Sequence, residues 1–149
     1  MELSKEDKVS RREMEQQFPL LQRTGYTLTS PQTKKYNCIA WAAGDNTKWW
    51  WPLSAYWPSQ VPPVSTLAAF TMAYGSVGFN QCELRDYEPG FTKVALYVGP
   101  DGLVKHAARQ LPTGQWTSKM GKGFDLTHTL EGLEGNLYGR VALVLKKIA

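Results

Sequence analysis

The chain has 149 residues, 17 Lys and Arg against 13 Asp and Glu, and two histidines, which leaves a formal charge of +4. With 42% hydrophobic, 20% charged and 12% aromatic residues, it has the composition of one globular domain that can bury a core without metals or disulfides. That excludes wholesale disorder and the collagen-like and coiled-coil classes. No run approaches the ~18 apolar residues of a membrane span, and Met1 to Arg12 is charged where a signal peptide is apolar, so the sequence reads as cytoplasmic and without a membrane partner.

Ser4 and Asp7 form a capping-box pattern, and Glu6 to Gln17 is rich in helix formers until Pro19. Only Val9, Met14 and Phe18 are apolar there, so residues 1–24 read as a polar surface helix or arm and residues 25–149 as the core of a single domain. Tyr26 to Pro31 is β-prone and turn-prone. Asn37 stands as the N-cap of a short apolar helix, Cys38 to Ala43, which Gly44 stops. Trp49 to Pro63 is rich in tryptophan and proline and reads as a packed aromatic loop.

Ser65 opens a second amphipathic helix through Tyr74, ending before Gly75 and Gly78. The period then changes to alternation. Val94 to Val98, Leu103 to Arg109, Gln115 to Lys119 and Arg140 to Lys146 read as strands, joined in hairpins by Gly99 to Gly102 and Leu111 to Gly114. Asp125 reads as the cap of a short helix carrying Leu126, Leu130 and Leu133. The layout is α+β, with helices on one side of an antiparallel sheet of about four to five strands.

Cys38 and Cys82 form no C-x-x-C pair, which argues against a disulfide scaffold and a structural zinc, and no cofactor or metal is expected. Basic residues are dispersed, and phosphate-loop, zinc-finger and RNA-binding signatures are missing, so nucleic acid is not the expected partner. Cys38, at a helix N-terminus, stands where unpaired N–H groups favour a thiolate. His106, within a strand, is the better placed base; His128 is the other histidine. Gln32, six residues before Cys38, and Asn37, next to it, are candidate oxyanion donors.

The residue that orients the imidazole stays open. A three-residue turn after Leu111 sets His106 against Ser118 and a four-residue turn sets it against Lys119; Gln110 and Asp125 are further candidates. Trp49 and Trp50 can offer a platform to a substrate or build a core under the loop. Arg109 and Lys119 are candidates for binding a substrate carboxylate or phosphate.

The Cys38 helix followed by Lys93 to Gly99 and Leu103 to Ala107 resembles the papain-like cysteine hydrolases, in particular the NlpC-type peptidases and their acyltransferase relatives, over roughly residues 32–120. The resemblance implies a papain-like core and a Cys38–His106 dyad acting on an amide or ester of a peptide-like or acyl substrate. In that pattern a histidine opens the first strand of the hairpin, where this chain has Lys93. Either His106 has become the base, or the base is lost and the chain is a non-catalytic binding or regulatory protein with a protein partner. The segments Tyr36 to Ala42, Trp49 to Pro52 and His106 to Lys119 also resemble a family of short bacterial proteins without an assigned activity.

Overall fold

The computed structural model describes residues 3–30, 32–54, 56–120 and 123–149; Pro31, at the end of the β-prone stretch, lies outside them. Helices α1 (Lys5–Gln17) and α2 (Pro19–Thr24) lead into strand β1 (Tyr26–Ser30), then helices α3 (Cys38–Ala42) and α4 (Leu67–Gly75). Strands β2 (Asn80–Cys82), β3 (Phe91–Val98), β4 (Val104–Gln110), β5 (Trp116–Lys119), β6 (Asp125–His128) and β7 (Arg140–Ile148) follow, with one 3-10 turn at Glu131–Leu133. The Ser4 capping box forms as read, and Pro19 starts α2 at a position where its missing N–H is not needed.

The strands make one antiparallel sheet of seven in the order β1-β6-β5-β4-β3-β7-β2, more than the four to five expected. β2 and β6 are the additions, while β1 falls on the stretch read as β-prone. Asp125 opens a strand, not a helix: β6 is paired on both sides, with β1 and with β5, and this pairing overrides the spacing of Leu126, Leu130 and Leu133. β3 and β4 lie inside the sheet and are largely buried on both faces; β3 carries the apolar run Val94 to Val98, whereas β4 buries the polar His106 and Gln110 among its alanines.

Helices cover both faces of the sheet, a second correction to the one-sided layout. On one face α3 and α4 pack through Ile39, Ala42, Phe70 and Tyr74 onto Val94, Leu96, Ala107 and Leu145. On the other, Met14, Phe18 and Leu21 of α1 and α2 pack onto Ala95, Tyr97, Ala108 and Leu126. The polar α1 is therefore anchored through Met14 and its cap Phe18, while Val9 stays exposed. Adjacent strand residues point to opposite faces, so the sheet divides the interior into two layers. Among the described residues no helix is long and apolar enough to cross a membrane.

The aromatic loop is part of the α3 layer. Trp50 is buried, and Trp51 and Trp57 pack with ring centroids 5.4 and 5.0 Å from Phe70. Asn37 ties this loop to α3: its Oδ1 accepts from the N–H groups of Ala40 and Trp50, and its Nδ2 donates to the Trp50 carbonyl at 2.6 Å.

Candidate functional site

Asn37 caps α3 and so sets Cys38 on its first turn, as the sequence implied. β4 and β5 pair only at Arg109↔Thr117 and Gln110↔Trp116, and the ladder stops before Ala107 and Lys119. Cys38 lies against this opening. The backbone N–H groups of Ala107, Ile39 and Cys38 itself are directed at its sulfur, and the Lys119 ammonium acts on it through space. Burial outweighs all of these and pushes the thiol up to about 11. The sulfur is therefore a neutral thiol in the α3 layer, 8% exposed.

His106 belongs to the other layer. Its ring stacks on Tyr138 with centroids 4.1 Å apart and planes at 5°, and meets the edge of Tyr97 at 5.3 Å. Its Nε2 lies 2.9 Å from Ser118 Oγ, and Ser118 Oγ lies 2.7 Å from His128 Nε2. His128 Nδ1 is 2.6 Å from the Thr129 carbonyl. That carbonyl only accepts, which fixes the proton on His128 Nδ1; His128 Nε2 then accepts from Ser118, and Ser118 accepts from His106 Nε2–H. One lone pair is left over, on His106 Nδ1, which is buried and has no hydrogen-bond partner.

Burial holds both imidazoles neutral. It pushes His106 well below the histidine range, with the second ring adding to the effect, and brings His128 down to about 4. No hydrogen bond joins Cys38 to His106. Consecutive residues 106 and 107 face opposite ways, and Cys38 packs with Ala107.

The other candidates divide between the layers. The loop after Leu111 closes with three residues, since Leu111 bonds Gln115, and His106 reaches Ser118 diagonally because Ala108, not His106, faces Ser118 in this register. Lys119 and Asp125 face each other on the α3 side. Asp125 Oδ2 accepts from Ser30 and from the Tyr36 hydroxyl, so it serves neither ring; burial and that carboxylate push Tyr36 up to about 12. Lys119 is buried, donates to the Gly123 carbonyl, and is held down to about 8 by burial, against the pull of Asp125 and Cys38.

Gln32 is exposed and donates to Asp7 of α1 at 2.6 Å, so its amide is engaged on α1. Asn37 is fully used as cap and loop tie. Trp50 donates its indole N–H to Asp45 and is core; Trp49 is half-buried. Gln110 donates to the Arg85 carbonyl. Arg109 donates to the Trp41 carbonyl at 3.2 Å and lies 4.9 Å over the Trp41 ring. Lys93, which stands where the resembled pattern has its histidine, has its buried ammonium held by the Leu84 and Asp86 carbonyls and by Glu88 at 2.8 Å.

Sequence reasoning missed Tyr138, which covers His106, and the proximity of Lys119 to the thiol. Lys119 was findable, because it lies on the same face of β5 as Thr117, which bonds the Trp41 indole. Among the described residues no group of three His, Cys, Asp or Glu could hold a metal.

These features define an α+β domain with a buried helix-terminal thiol packed on one face of its sheet and a relay of two buried histidines on the other, with no hydrogen bond between them. A family model described as a domain of unknown function, DUF7689, matches residues 27–146, and the chain belongs to that family. No curated protein and no solved structure matches it.

Proposed function

We propose that the chain is a non-catalytic binding or regulatory module. The observation that carries this reading is the state of Cys38: a neutral, nearly inaccessible thiol pushed up to about 11, with neither imidazole within hydrogen-bonding reach. A nucleophile needs the thiolate and a path to it. Here the three N–H groups that favour the anion are overridden by desolvation. Lys93 supports the same reading, since its ammonium is fully used in holding the loop before β3. The test is alkylation of the folded protein with iodoacetamide between pH 7 and 9. A Cys38 rate far below that of a free thiol, unchanged by His106→Ala, is expected; a rate above it that falls in His106→Ala would sink the reading.

One observation favours a second reading, a cysteine hydrolase or acyltransferase. The Ser118–His128 relay fixes the His106 tautomer and leaves Nδ1 as a free base. Such an enzyme has to bring Cys38 and His106 together when substrate binds. The fast, histidine-dependent alkylation just described is its signature.

A further inference from the structure

We propose that a cleft beside the C-terminal end of α3 binds a small ligand carrying an oxyanion, a carboxylate or a phosphate, on an apolar body, with Arg109 and Lys147 as the cationic wall. The proposal deepens the binding-module reading by naming a site and a ligand class. It starts from register. Val94 faces Arg109 across β3 and β4, and Thr92 faces Lys147 across β3 and β7, so both cations and Thr92 stand on the α3 face of the sheet. They line an open cleft of about 330 Å³ that Phe79, Leu111 and Pro112 border. That volume suits a ligand the size of a phenyl phosphate.

Charge makes this cavity more than a gap. Arg109 is half-buried, and desolvation lowers its pKa. Among the described residues no carboxylate lies within 4.0 Å of Arg109 or of Lys147. The Lys147 ammonium instead sits 5.0 Å over the Phe79 ring. Asp125 acts on Arg109 only through space and forms no ion pair with it, so two cations on one partly desolvated wall leave room for an anion to join them directly.

Arg109 also caps α3 through the Trp41 carbonyl, but that bond takes one of the ~5 N–H donors of a guanidinium and leaves the others for a forked contact with an oxyanion. Leu111 and Pro112 of the remaining wall have nothing polar to offer. They fit the apolar part of the ligand.

The test is thermal unfolding of the full chain at constant ionic strength with benzoate, phenyl phosphate, inorganic phosphate or sodium chloride. At 20 mM, a ligand with a millimolar Kd raises Tm by roughly 5 °C relative to chloride. A rise with benzoate alone assigns a carboxylate and a rise with phenyl phosphate alone assigns a phosphate; either supports the site. The rise should vanish in Lys147→Gln and in Arg109→Gln, with Arg109→Lys as a charge-keeping variant if the glutamine does not fold.

Equal shifts for all anions and chloride, or a shift that survives in Lys147→Gln, would overturn the proposal and leave Arg109 as a helix cap. Failure here is separable from failure of the module reading, because the latter is decided by Cys38 alkylation. An inert Cys38 with no oxyanion effect removes only the cleft.

Discussion

Ser118 is the residue on which the second layer turns, because a single hydroxyl serves two rings that would otherwise each bury a polar nitrogen without a partner. Ser118→Ala leaves His106 Nε2–H and His128 Nε2 unpaired at fully buried positions, and should lower stability by about 2–4 kcal/mol in urea unfolding. Loss under about 0.5 kcal/mol would mean that water takes the hydroxyl's place. Lys93→Met removes the donor to the Leu84 and Asp86 carbonyls while keeping the stem volume, and should cost about 2–3 kcal/mol by the same measurement. Glu88 is less affected, as Lys146 stays 3.1 Å from it. At this scale the sequence was half legible. The pairing of His106 with Ser118 was among the alternatives, and so was a Cys38 without a base; the sequence could not choose between that and a dyad, since the choice depends on which face α3 covers.

Asn37 shows how one side chain sets an element. It caps α3 and pins the loop at Trp50 with both ends of its amide. Asn37→Ala should therefore cost more than an ordinary cap, about 2–3 kcal/mol, and increase the exposure of tryptophan to quenchers. Asn37→Ser, which keeps the acceptor for Ala40 but not the bonds to Trp50, should recover only part of the loss. Gly139 is a sharper constraint: its φ is +75° and a Cβ there would fall 2.0 Å from the Val98 carbonyl oxygen. Gly139→Ala must displace β7 from β3 at that point, and a loss of at least about 3 kcal/mol is expected. The elements that carried their own local signals, namely the α1 capping box, the α3 cap, and the β3 and β4 runs, were legible in the sequence. β6 was not, because four residues beginning with Asp125 acquire strand geometry only by lying between β1 and β5, and this is long-range information.

The whole molecule is a sheet with two unlike sides, and pH acts on one of them. On the α1 side His106 and His128 are buried neutral, with Tyr97 and Tyr138 as ring neighbours of His106 and Ser118 between the two histidines. Both folded-state pKa values lie below that of a free histidine, ~6.5, with His128 at about 4. As pH falls below ~6.5 the unfolded chain takes up protons that the folded chain refuses, so stability is complete above that value and is lost toward pH 4. His128 alone accounts for about 3 kcal/mol of that loss, and His106 adds to it in the same direction. The carboxylates with resolved shifts, Asp7, Glu88 and Asp101 among them, are lowered from their usual values, so their contribution to acid unfolding begins below the histidine window. The urea midpoint should therefore drop steeply between pH 6.5 and 4.5 in the native chain and by about half as much in His128→Gln, whose amide can still accept from Ser118 and in which His106 alone remains to titrate. Equal slopes for the two proteins would mean that His128 reaches water and titrates freely, and the two-layer description of the interior would fail at that point.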